Sequence, residues 1–176
     1  MATCFQAPKA SLIYIFRIND SEHADCLKIG ETSLKDDDVN VLSLQPNSKI
    51  LNISARKRID QYTKTAGINY ELLYTESALF ARGKSFGYFN DKDVHQVLLR
   101  SGFHRKVFSG NKGHGTEWFR VDLETAKNAI KAVKEGRKAL NAYEITTGQS
   151  PIVFRPEPGL ADGQDRQAGS HAVVRR

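Results

Sequence analysis

Apolar positions along the chain fall into short alternating runs, longer helical periods and polar breaks. Ser11 to Ile18 alternates and is rich in Ile, Tyr and Phe, which predicts a strand. Asn19 to His23 is a polar turn, and Asp25 to Glu31 predicts a second strand that pairs with the first as a hairpin. Thr32 to Ile53 is long for a connection, with an acidic run at Asp36, Asp37 and Asp38 and a turn at Pro46-Asn47-Ser48. Connections of that length carry function or a small element of their own. Ser54 predicts the cap of a helix that runs through Tyr62 and ends by Gly67. Asn69 to Ser77 predicts a third strand, and Ala78 to Phe89 has no clear period. Asn90 caps a helix, DKDVHQVLLRSG, that stops at Gly102. Residues 103–116 form a basic, glycine-rich loop, EWFRV is a short last strand, and Asp122 caps a long helix from Leu123 to about Tyr143.

The order is β-β-α-β-α-β-α, an α+β domain built on a small, mostly antiparallel sheet flanked by helices. On the last helix Ala126, Ile130, Val133 and Leu140 share one side. Lys127, Lys131, Lys134 and Lys138 form a stripe beside it, either a solvated face or a phosphate-facing one. After Gly148 the chain is rich in Pro, Gly, Asp and Gln without periodicity. The expected organisation is a flexible start over 1–10, one domain over 11–147, and a disordered tail or linker over 148–176.

Composition narrows the function classes. The 176 residues suffice for one domain with a core. No run approaches the roughly 18 apolar residues of a membrane span, and the N-terminus lacks the pattern of a secretory signal. The two cysteines, Cys4 and Cys26, form no CxxC pair, which suits free thiols in a reducing cytoplasm. A formal net charge of +6 points to polyanionic partners, nucleic acid first among them.

Certain residues stand out against that background. The first strand carries Tyr14 in its middle, and the second carries Lys28 just before Gly30. A phenol and an ammonium on one sheet face can bond a phosphate or a water, and a glycine there admits close approach by a ligand backbone. Arg56 and Arg58 offer planar forks of donors that match phosphate oxygens. Asp91 and His95 are four apart on one helix and share a face. A carboxylate there can hold Mg²⁺, and the imidazole can act as a general base or orient a water.

In this order the parts resemble the GIY-YIG endonuclease superfamily. Leu12-Ile13-Tyr14 stands where the first motif would be, and Lys28-Ile29-Gly30 where the second would be. KIGET followed by R.....Y, then D...H, then EWF looks like the phage-type branch, in which lysine replaces the second tyrosine. The resemblance covers roughly residues 11–135. It implies that Tyr14 activates or positions an attacking water, that Lys28 assists or holds a phosphate, and that Arg58 or Arg56 steadies developing charge. It further implies metal binding by Asp91, with Glu117 of EWF or Asp93 as alternatives, and a role for His95 in the active site. Leu12, Lys28 and Asp91 depart from the superfamily's glycine, tyrosine and glutamate. The tail segment PIVFRPEP resembles the junction at which such a domain precedes a DEAD/DEAH-type helicase.

The expected activity is thus cytoplasmic, Mg²⁺- or Mn²⁺-dependent hydrolysis of DNA phosphodiesters. Gly30, Arg56, Lys57, Arg105, Lys106, Lys112, Lys127 and Lys131 are expected to hold the DNA. The alternatives are a catalytically silent DNA-binding module and an accessory domain of a helicase or restriction system.

Overall fold

The computed structural model describes residues 10–34, 40–110 and 115–148. Cys4, the acidic run 36–38, Lys112, nearly all of the expected flexible start and the tail from 149 onward lie outside the described residues. In chain order the elements are β1 (Ser11–Arg17), β2 (Leu27–Ser33), a 3-10 turn (Val41–Ser43), α1 (Lys49–Thr63) and β3 (Glu71–Ser77). Then come β4 (Leu79–Arg82), β5 (Ser85–Tyr88), α2 (Asp91–Arg100), β6 (Trp118–Phe119), α3 (Leu123–Lys134) and α4 (Ala142–Gly148).

The expected α+β fold is present. The sheet is four-stranded, ordered β3-β1-β2-β6, with antiparallel pairing throughout. Its centre is apolar on both sides, because β1 is an unbroken run of buried residues rather than a half-buried alternation. Leu12, Tyr14 and Phe16 face α1, where Leu51, Ala55 and Ile59 recur every fourth residue and lie fully buried. Ile13, Ile15, Leu27 and Ile29 face the opposite way, against Val94, Val97 and Leu98 of α2 and Ala126, Ala129 and Ile130 of α3. Each fully buried Leu, Ile or Phe contributes about 1.5–3 kcal/mol, so these two cores fix the helices on their respective faces. Among the described residues no helix is long and apolar enough to cross a membrane.

The structure changes three elements of the sequence reading. Helix α1 starts at Lys49 after Ser48, not at Ser54. Ile50 and Ile53 favour extended backbone locally, but burial of Leu51 in register with Ala55 and Ile59 draws the whole segment into the helix. The unassigned stretch 78–89 is a second, separate hairpin of β4 and β5, turning at Gly83-Lys84 with Gly83 at φ +59. The long last helix ends at Lys134. Gly136 takes φ +73, and the Arg137 N–H reaches back to the Ala132 carbonyl at 2.8 Å, closing the helix end. Leu140 still enters the core, but from the turn that leads into α4.

Helix α2 matches its signals closely. Asn90 accepts from the Asp93 N–H, and the Asp93 carboxylate accepts from the Asn90 N–H, a reciprocal capping box. Gly102, at φ +89, follows its last turn.

Candidate functional site

The register of the first hairpin places Tyr14 opposite Gly30 and Phe16 opposite Lys28. Tyr14, Lys28 and Gly30 therefore share the sheet face that α1 covers, as their spacing predicts. The reason for the glycine is different from the expected one. A Cβ at Gly30 would stand 2.6 Å from Cζ and Oη of Tyr14, so the phenol ring, not a ligand, occupies the space that the missing side chain leaves. Gly30 is itself buried, which removes it from the expected DNA-contacting set.

Tyr14 is only 3% exposed, and its Oη lies 3.4 Å from Oη of Tyr62 on α1. Tyr62 belongs to the R.....Y pattern but has no role in the sequence reading. It stands one turn beyond Arg58, and the packing of α1 on β1 brings its hydroxyl to Tyr14. Burial holds both phenols above their ordinary value of 10.0. For Tyr14 the Tyr62 hydroxyl and the Arg58 guanidinium pull the other way, while the Glu117 and Asp91 carboxylates add to the rise. The charges around the phenol thus belong to the residues that the motifs single out. Lys28 Nζ lies 4.3 Å from the Tyr62 ring centroid and 3.2 Å from Oε2 of Glu117.

Strand β2 also anchors the acidic side of the site. The Ile29 N–H donates to the Glu117 carbonyl at 3.0 Å. The Ile29 carbonyl accepts from Nε2 of His95 at 2.9 Å. One residue of the sheet therefore holds both the EWF segment and α2. His95 is 3% exposed and packs on Phe119, with ring centroids 5.0 Å apart. Burial lowers its pKa below 6.5, so the imidazole stays neutral near pH 7 with its Nε2 proton committed to the sheet. Only Nδ1 is left for chemistry, and the plainest work of His95 is to position α2.

With α2 held so, Asp91, His95 and Glu117 line one cleft of about 290 Å³ together with Lys92, Arg105 and Thr116. Burial raises the pKa of Asp91; His95 opposes the rise and Glu117 adds to it. Glu31, which sequence reasoning passed over, accepts from the Asp91 N–H at 3.3 Å. Burial and the Asp91 charge raise its own pKa. Two carboxylates at one cleft, with Glu117 disfavouring the charge of Asp91, suit a cation. Among the described residues no three His, Cys, Asp or Glu side chains form a metal-binding set. Two carboxylates fit Mg²⁺, which keeps several waters and completes its shell with phosphate oxygens. Asp93 is engaged in the capping box and lines a different cleft from Asp91 and Glu117.

The remaining candidates separate by position. Arg58 acts on both phenols, while Arg56 turns to Tyr70, itself bonded to Asp60. Arg58 and Lys57 line a larger groove of about 750 Å³ between α1 and β2, and Arg58 donates to Gln61 at 2.9 Å. Arg105 enters the acidic cleft and lies over Phe119. Lys106 is paired to Asp25. The lysine stripe does not form a free phosphate-facing row. Lys127 is bonded to Glu124 and lies over Tyr74, Lys134 pairs with Glu76 of β3, and Lys131 stands 4.0 Å from Glu135. Tyr74 and Glu76 belong to β3, at the sheet edge opposite β6, so Lys127 and Lys134 point away from the cleft.

No protein-family model, curated protein or solved structure matches the chain.

Proposed function

We propose that the chain is a metal-dependent DNA endonuclease with a GIY-YIG-type active site, hydrolysing phosphodiesters through an attacking water. The observation that carries the reading is the convergence on Tyr14. Its phenol fills the space over Gly30, touches Tyr62, and feels the charges of Arg58, Asp91 and Glu117. These are the residues that the sequence motifs select, gathered from β1, β2, α1, α2 and the segment entering β6.

In this reading Tyr14 Oη holds and orients the water. Burial keeps the group a neutral phenol, so positioning rather than outright proton removal is its first task. Arg58 offsets the negative charge that grows on the phosphoryl oxygens. Lys28, held between Glu117 and the Tyr62 ring, offers an ammonium to a nonbridging oxygen. Asp91 and Glu117 are the residues that would hold Mg²⁺ or Mn²⁺, which supplies Lewis acidity at the phosphoryl group when bound. His95 keeps Asp91 in register with the sheet. The resemblance of the tail to a helicase junction extends the proposal to a fused or associated helicase in the cytoplasm.

The test is nicking of supercoiled plasmid with Mg²⁺, Mn²⁺ or EDTA. Tyr14→Phe and Arg58→Ala are each expected to reduce metal-dependent nicking by about a hundredfold or more while circular dichroism stays unchanged. Full cleavage by both variants would remove the assigned roles. Salt-sensitive DNA binding without cleavage by the parent chain would favour the catalytically silent module.

A further inference from the structure

A second cleft, of about 330 Å³, lies between the β4–β5 hairpin, α2 and the turn after α3. Its lining includes Arg82, Arg100, Arg137 and Lys138 against a single acid, Asp93. Asp93 is engaged in the α2 cap, and Arg137 is paired with Glu135 and Glu144. Among the described residues no carboxylate pairs with Arg82, Arg100 or Lys138. The cleft therefore keeps a surplus of unpaired positive charge.

Arg82 is exposed and rests on an aromatic ring. Its guanidinium lies 4.5 Å over the Phe80 ring, and a Cβ at Gly136 would come within 3.0 Å of its Cζ. Gly136 takes the positive φ that ends α3, and the Arg82 guanidinium lies close beside it. The planar guanidinium presents a fork of donors that matches phosphate oxygens. At the hairpin turn Lys84 is exposed, and Phe86 just beyond it is 75% exposed.

The two clefts meet on α2. Gln96 lines both of them. Lys92, Gln96 and Arg100 stand at four-residue spacing on one exposed face. Lys92 lines the acidic cleft and Arg100 the basic one. At 1.5 Å per residue that stripe spans about 12 Å, or roughly three to four base pairs at 3.4 Å each. Cations spread over such a length suit a polyanion, not a lone phosphate.

We propose that this face of α2, with the β4–β5 hairpin at its end, is a track for the backbone of duplex DNA. Lys92 and Arg100 contact phosphates about three to four positions apart on the strand cut at the first cleft. Arg82, Lys84 and Lys138 grip the flanking phosphates. The inference rests on reading the first cleft as the site of phosphodiester cleavage, and it assigns the substrate as a duplex that extends past the scissile bond toward the hairpin.

The experiment measures anisotropy of a labelled duplex of about 20 base pairs with the Tyr14→Phe chain, over a salt series. The triple variant Lys84→Ala, Arg100→Ala, Lys138→Ala is compared in the same background, its fold checked by circular dichroism. Each lost phosphate contact is expected to lower the log-log salt slope by about 0.9, so the triple variant should lose about 2 to 3 from the slope and bind at least about tenfold more weakly at low salt. The charge reversal Lys84→Glu, at an exposed turn, gives the same reading in smaller measure if the triple variant does not fold. Unchanged slope and affinity would overturn the track while leaving cleavage at the first cleft intact. Hairpin-dependent binding by a parent chain that never nicks DNA would support the track and remove the nuclease reading. Absence of duplex binding at low salt would overturn both.

Discussion

Gly30 and Tyr14 make one unit: a strand residue without a Cβ and a phenol lying over it. Alanine at position 30 would put a backbone-anchored carbon 2.6 Å from the ring, and the ring would have to move. Overpacking of this kind costs about 1–3 kcal/mol, and displacement of a catalytic group by 1 Å can cost about a hundredfold in rate. Gly30→Ala is therefore expected to lower the melting temperature modestly and to reduce nicking about a hundredfold, checked by calorimetry and the plasmid assay on the same preparation. At this scale much of the proposed site was legible. Tyr14, Lys28, Asp91 and His95 could be picked by residue type and spacing, Arg58 only together with Arg56, and Glu117 only through the resemblance. Glu31 could not, because a glutamate at a strand end carries no local mark, and Tyr62 entered only as the end of the R.....Y pattern, without a role. They join the site only when α1 packs on β1 and α2 docks on β2. Asp93 looked like Asp91 in sequence, and the cap geometry and the cleft each lines tell them apart.

Helix α4 packs Ile145 against the core and is tied to the turn before it by a polar cluster. Arg137 donates through Nη1 and Nη2 to the two Glu144 carboxylate oxygens, at 2.8 Å each, and Glu144 also accepts from the Asn141 N–H. Bonding to Arg137 holds the Glu144 carboxyl below its usual 4.5. A depressed carboxylate contributes stability that is present above the unfolded value and lost as pH falls through the folded one. Protection of α4 amides in hydrogen exchange is thus expected to fade as the pH drops below about 4.5, while α1 and α2 keep theirs. Uniform loss across all helices, or none in α4, would contradict this. The same element explains where the sequence reading went astray. The apolar period continues through Val133 to Leu140, so one long helix is the natural expectation. Gly136 interrupts it because the helix end takes a positive φ of +73 there, which favours a residue without a Cβ. The late start assigned to α1 has the opposite cause: local preference argued for loop, and burial of Leu51 overrode it.

Across the whole molecule the sheet works as a mount with its two faces used differently. One face carries α1 and the two phenols; the other carries α2 with its carboxylate and histidine, and Ile29 binds the pieces together. Metal binding by the folded chain alone should stabilise it by mass action. At free Mg²⁺ about a hundredfold above Kd the gain is about 2.7 kcal/mol, which for a chain of this size raises Tm by roughly 5–10 °C. Asp91→Asn is expected to abolish that rise, and to leave or improve stability in EDTA, since it removes a buried charge beside Glu117. A thermal melt of both proteins with and without Mg²⁺ decides it. The sequence by itself determined the α+β class, the order of the main elements and the capped start of α2, because alternation, helical period and capping are local properties of the chain. Only the tertiary structure decided which cations are spent on carboxylates, that Tyr14 fills the space over Gly30, and that two clefts meet along α2. Lys127 with Glu124 and Lys131 with Glu135 are helical neighbours, but Lys134 with Glu76, Lys106 with Asp25 and Lys28 with Glu117 meet across long stretches of chain, and no local pattern encodes such meetings.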